Sequence, residues 1–105
     1  MITVSVLYAN KEGSKFDLDY YCNTHIPMVE QKLGTALKGV TVESGLSGGL
    51  PQSPPPYVAI GHLLFDSLAA FIEAFSPHAE VLEGDIPNYT NIKPIIQISE
   101  VIISR

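Results

Sequence analysis

The chain opens on a strict alternation. In "MITVSVLYAN", Ile2, Val4, Val6 and Tyr8 are interleaved with Thr3, Ser5 and Leu7, and this period-two, β-branched pattern predicts a strand from Ile2 to Ala9. "NKEGS" is a turn cluster. Asp17 stands where its carboxylate can reach the free amides of a first helical turn, so a helix is expected from there to Leu33, with Gly34 suited to a left-handed closing position. Val40 and Val42 in "LKGVTVESGL" mark a second strand. The glycines and prolines of "SGGLPQSPPP" forbid regular structure. That segment reads either as a long exposed hairpin connection or as a mobile flap over a site.

"YVAIGHLLF" is a third strand with two apolar faces: Val58, Ile60 and Leu64 on one, Ala59, Leu63 and Phe65 on the other. Asp66 and Ser67 supply cap chemistry, and Leu68, Phe71, Ile72 and Phe75 recur at the spacing of an amphipathic helix lying on a sheet. Ser76 and Pro77 suit the start of a further short helix, ending near Gly84. "GDIPNYTN" is an irregular linker, and "IKPIIQISEVII" is a long β-branched final strand. No solenoid repeat is present. The order β-α-β-β-α-β predicts an α+β, ferredoxin-like domain, in which a four-stranded antiparallel sheet carries helices on one face. Its other face is left bare and greasy, which implies a homodimer formed through the open sheet.

Composition narrows the picture. A chain of 105 residues fits one domain spanning residues 1–105. The hydrophobic fraction is 46%, yet no apolar run approaches the roughly 20 residues of a membrane span. Cys22 is the single cysteine and is read as a small buried hydrophobe; together with the absence of a leader pattern it points to the cytoplasm. Net charge is −5 and the basic residues are scattered, so nucleic acid and anionic membranes are poor partners. The histidines share no metal-ligand spacing and Cys22 has no CxxC companion, so no metal is expected; without a phosphate-binding glycine motif, neither is a nucleotide cofactor.

The chemistry gathers in "DYYCNTHIPMVEQKLG", residues 19–34. On a helical wheel, Leu18, Tyr21, Cys22, His25, Ile26, Met28, Val29 and Leu33 share one side with His25 near its middle, while Pro27 falls opposite. A proline there removes one backbone bond on the wet side and bends the helix, opening space near His25. The reading adopted is one kinked helix; the alternative is that Thr24 caps a fresh helix with Pro27 in its first turn. An imidazole in this layer either hydrogen-bonds within the core or acts as a general acid or base toward a small molecule. Tyr20 projects to the other side as a half-exposed packing residue. His62 lies on the third strand as a core or interface residue, and His78 sits at a helix start.

The stretches "FDLDYYCNTHIPMV", "YVAIGHLLFDSLAAFIEAF" and "DIPNYTNIKPIIQISEVI" together resemble the EthD family over essentially the whole chain. The resemblance implies ferredoxin-like domains that pair into a dimeric α+β barrel, and an association with ethyl tert-butyl ether degradation beside a cytochrome P450 system. It directs attention to His25 with Tyr21 on the first helix, and to Asp85, Asn88, Tyr89 and Asn91 in the linker, where Asp85 and Asn88 can equally be turn caps. The expected function is binding of a small hydrophobic metabolite between helices and sheet, with His25 as the catalytic acid or base and Tyr21, Met28, Tyr89 and Asn91 as substrate contacts. A cofactor-free enzyme performing proton transfer, oxygenation or isomerisation stands beside a non-catalytic accessory protein for a partner monooxygenase. A tightly packed interior would remove both.

Overall fold

The computed structural model describes residues 1–105. Strands β1 (Ile2–Ala9), β2 (Gly39–Ser44), β3 (Tyr57–Phe65) and β4 (Ile95–Glu100) form one antiparallel sheet in the order β2-β3-β1-β4. This is the ferredoxin-like arrangement read from the sequence. The first helix, α1, covers residues 18–33, and the second crossover contains α2 (Leu68–Phe75) and α3 (Ala79–Gly84) joined by a 3₁₀ turn, Ser76–His78. Asp17 and Ser67 cap as their positions suggested: the Asp17 side chain accepts from the amide of Tyr20, and that of Ser67 from Ala70. No helix is long and apolar enough to cross a membrane.

Register decides which residues meet the helices. Ile2, Val4, Val6 and Tyr8 of β1 pair with Phe65, Leu63, Gly61 and Ala59 of β3, so the helix-facing row of β3 tapers from large side chains to small ones. At the wide end Ile2, Val4, Leu63 and Phe65 pack with Val29, Leu33 and Leu82 from the helices, and Phe65 is fully buried. At the narrow end Ala59 leaves room for the rings of Tyr8, Tyr21 and Tyr89, which form a second cluster with Ile26. A sheet that is shallow at one end and deep at the other leaves unfilled volume where the two clusters meet.

Pro27 is absorbed differently from the expected kink. Helix α1 is continuous, with α-helical turns Leu18–Tyr20 and Ile26–Leu33 separated by a π-helical turn, Tyr21–His25, in which the Ile26 amide bonds the Tyr21 carbonyl. His25 and Ile26 both keep helical dihedrals, so Thr24 does not start a second helix. The widened turn also corrects the place of Cys22. It is exposed, because the extra residue per turn rephases the segment and carries Cys22 to the solvent edge while Tyr21 and His25 stay inward. The final strand stops at Glu100, which pairs with Ile2; beyond it only the Val101 amide finds a partner, the Met1 carbonyl.

The opposite sheet face carries Leu7, Ile60, Leu64 and Ile95, with none of the helices packed on it, whereas Val58, expected beside Ile60 and Leu64, packs against the tyrosine cluster. A polar row crosses it. His62 Nδ1 lies 3.0 Å from Ser5 Oγ and its Nε2 lies 3.0 Å from Glu43 Oε1.

Candidate functional site

A cavity of about 80 Å³ lies between helices and sheet, at the boundary of the two clusters. Its walls include Val6 and Gly61 from the sheet, His25 and Val29 from α1, and Leu82 from α3. Exposed Glu83 and Ile96 also line it and form its mouth. The interior is therefore not packed shut around His25, which is itself only 7% exposed.

His25 is oriented by a residue far away in the chain. Its Nδ1 lies 2.8 Å from Asp85 Oδ2, while the other oxygen of that carboxylate accepts from Tyr20 Oη at 2.7 Å and Asn88 Nδ2 at 2.9 Å. Burial pushes the Asp85 carboxyl up, but the hydrogen bonds from Asn88, Tyr20 and His25 outweigh it and hold the group below its usual range. An ionised carboxylate can only accept, so Nδ1 of His25 carries the hydrogen. Nε2 makes no hydrogen bond within the protein, and no buried side-chain nitrogen or oxygen lacks a partner. Nε2 is thus open to the cavity that His25 lines, as an acceptor whenever the ring is neutral.

Two tyrosines flank the imidazole and a third stands behind them. Tyr21, one turn before it, stacks at 5.6 Å and 16°, and Tyr89 lies 4.7 Å away, centroid to centroid. Behind them the Tyr8 and Tyr89 hydroxyls are hydrogen-bonded at 2.7 Å. Burial pushes the pKa of all three phenols well above the ordinary value, keeping them protonated donors through the neutral range. Tyr21 can lie this close to the sheet because position 61 is glycine; a Cβ there would collide with its hydroxyl.

The linker is stitched to the entrance of α1. Phe16 and Thr90 form a β-bridge, the Asp17 amide bonds the Tyr89 carbonyl at 2.7 Å, and Thr90 Oγ1 donates to the Lys15 carbonyl at 2.6 Å. These bonds fix Asp85 and Tyr89 over the helix. Asn91 belongs to the same stitching, accepting from the Lys15 amide and donating to the Gly13 carbonyl. Its exposed side chain is not in the cavity wall, so the expected substrate contact is corrected to a clamp. Met28 is likewise outside the wall: it is half-buried against the Phe65 cluster, while Ile26 and Val29 on either side of it in the chain line the cavity. His25, Tyr21 and Tyr89 are brought together as expected. Residues 45–56 contribute nothing to the cavity, which leaves the flap reading without support.

Tyr20 and Asp85 were undervalued by the sequence. Asp85 lies 60 positions from His25, and no local spacing connects them. Tyr8 was legible, since the alternation of β1 turns it toward the helices.

The EthD domain profile matches residues 14–93, a span that includes both halves of the His25–Asp85 pair. The chain belongs to the EthD family. Among solved structures, an EthD-like protein from Ralstonia eutropha JMP134 is 45% identical with a TM-score of 0.94, over 99% of this chain and 94% of that one. An ethyl tert-butyl ether d (EthD) family protein from Bacillus halodurans C-125 is 18% identical with a TM-score of 0.74, over 97% and 99% of the two chains. HapK from Hahella chejuensis is 12% identical with a TM-score of 0.56, over 100% and 97%. The last two are alike in fold alone. No curated protein matches the chain.

Proposed function

We propose that this EthD-family protein binds a small, largely apolar molecule in the helix–sheet cavity and that His25 exchanges a proton with it. The observation that carries this reading is the 2.8 Å pairing of Nδ1 with Asp85, which leaves Nε2 free at the wall of a cavity. Asp85 holds the ring in one tautomer and orientation, and it stabilises the imidazolium once Nε2 has taken a proton. The exchange moves only a proton and calls on no cofactor. Size restricts the ligand: an enclosed cavity of about 150 Å³ accommodates a benzene ring, so a ring entering the 80 Å³ here seats one end inside and extends toward Ile96 and Glu83.

The protein acts as a homodimer on this proposal, the face bearing Ile60, Leu64 and Ile95 packing on that of a second copy. Analytical ultracentrifugation of wild type and Leu64→Arg tests it; a monomeric wild type contradicts it.

A second reading, favoured by the mainly aliphatic and aromatic walls, is a binding protein that presents a compound such as ethyl tert-butyl ether to a partner monooxygenase. An ether carries no acidic hydrogen, so His25 has no proton to take from it. Nitrogen-15 NMR of the histidines, recorded with and without methylcyclopentane as an apolar probe, tests the common core of both readings. His25 resonances should move on titration and saturate. Lack of any shift at His25, with Tyr21 and Tyr89 equally silent, refutes cavity binding.

A further inference from the structure

The three tyrosine hydroxyls set up a count that proposes the ligand class. Tyr8 and Tyr89 share one hydrogen bond, which uses one of their two hydroxyl hydrogens. The Tyr21 hydroxyl lies beside that of Tyr8. Even with Tyr21 joined to the row, three hydrogens meet two acceptor positions, and no carbonyl or carboxylate accepts from any of the three phenols. One O–H is left over: on Tyr8, which also lines the cavity, where it accepts from both neighbours, and otherwise at an end of the row, on Tyr21 or on Tyr89. Both of these rings line the cavity and both flank His25.

The wall therefore offers a surplus donor beside an acceptor, His25 Nε2, among aliphatic side chains. From this juxtaposition, and resting on the proton-exchange reading above, we infer that the ligand is a small carbonyl compound with an acidic hydrogen on the carbon next to the carbonyl. Carbonyl oxygen and acidic carbon are neighbours in such a molecule, which matches a donor and an acceptor on adjacent rings. A saturated hydrocarbon satisfies neither group, and an ether satisfies only the phenol.

The chemical step balances without an external reagent. Nε2 takes the hydrogen: the C–H bond breaks, its electron pair becomes the new C=C bond, and the carbonyl π pair moves onto oxygen. The surplus tyrosine O–H donates to that developing oxyanion, which it stabilises more than the ground-state carbonyl. Asp85 faces the Nδ1–H of the imidazolium throughout. Return of the proton from Nε2 to another atom of the enolate gives an isomer; return to the same carbon in deuterated water gives exchange. Tyr21 and Tyr89 serve as electrophilic partners of the general base.

The test uses three probes of similar size: cyclopentanone, methylcyclopentane and ethyl tert-butyl ether. Proton NMR in deuterated water follows loss of the hydrogens next to the cyclopentanone carbonyl. Wild-type protein is expected to exchange them faster than buffer, His25→Gln to lose the effect, and the Tyr21→Phe/Tyr89→Phe double variant to lose it by about 10²-fold or more, as for removal of an oxyanion donor. Methylcyclopentane binding, read from shifts of residues lining the cavity, shows whether each variant keeps a folded cavity. Where it does not, the single substitutions Tyr21→Phe and Tyr89→Phe are compared, and one of them must slow exchange. If methylcyclopentane binds and wild type exchanges no faster than buffer, or if His25→Gln exchanges as fast as wild type, the ligand class is wrong while the cavity reading stands. Tighter binding of the ether than of the ketone overturns the inference in the same way. If none of the three probes reaches the cavity, both the inference and the reading beneath it fall.

Discussion

Gly61 offers the sharpest check on the architecture of the cavity. It sits buried on β3 opposite Val6, and a methyl group there meets the Tyr21 hydroxyl well inside van der Waals contact, while the ring carbon bearing that hydroxyl stays 3.6 Å away. Tyr21 cannot easily yield, since it is 2% exposed and enclosed by Tyr8, Phe16, His25 and Tyr89. Overpacking of this kind costs about 1–3 kcal/mol, and restricting the unfolded chain returns about 0.4–1 kcal/mol. Gly61→Ala should therefore destabilise by roughly 1–2 kcal/mol, near 10 °C in Tm for a domain of this size. Tyr21→Phe removes only the hydroxyl, at about 1 kcal/mol. Since the clash is with the hydroxyl, the double variant should be no less stable than Tyr21→Phe alone, a coupling of about 2 kcal/mol in a double-mutant cycle. Urea denaturation of all four proteins measures it. A Gly61→Ala variant as stable as wild type, or a double variant at the sum of the singles, would refute the close approach of Tyr21 to the sheet.

Asp85→Asn should reverse the His25 tautomer: the new amide keeps an oxygen for some of the donors around it but presents N–H groups as well, and Nδ1 turned acceptor leaves Nε2 carrying the hydrogen. Nitrogen-15 shifts read this directly, and an unchanged tautomer contradicts the role given to Asp85. The same residue sets the acid limb of stability. Its folded pKa lies below the ordinary carboxylate value, so between the two the unfolded state binds more protons, and the stability present above that ordinary value is lost as pH falls through the depressed one. Denaturation against pH should show a shallower acid limb in Asp85→Asn than in wild type. At the other extreme, the unfolded phenols ionise near 10.0 while the buried Tyr8, Tyr21 and Tyr89 hold their protons, so stability should fall as pH rises past that point; a flat alkaline limb would contradict their burial. Phe65→Ala, at the fully buried end of β3, should cost about 3–5 kcal/mol in urea denaturation, and a loss under 1 kcal/mol would show that the core does not depend on it.

The fold was legible because its elements announced themselves locally: alternation in β1, the β-branched run of β4, and capped amphipathic spacing in α2. The site was legible only in part. His25 and Tyr21 share a helix, so a wheel could bring them inward together. Asp85 could not be told from a turn cap, because its role arises from where the Phe16–Thr90 bridge lays the linker across α1. Asn91 and Met28 failed for related reasons: a polar linker residue serves backbone stitching as readily as a ligand, and an apolar face says nothing of which of its side chains meets a hollow. Cys22 failed because uniform helical spacing was assumed through a segment that does not keep it.

That π-helical turn makes chain length itself a constraint. A surplus residue is held between Tyr21 and His25, and the widened turn absorbs the rotation of about 100° that one added residue gives a regular helix, so the segments on either side keep their faces. Were the same residues wound at ordinary helical spacing, the entrance of α1, which the Asp17 amide ties to Tyr89, would be aimed away from the linker. In this stretch the number of residues and the width of the turn must match, and a protein engineer seeking new ligand specificity has more freedom to repaint the walls than to regularise the helix behind them.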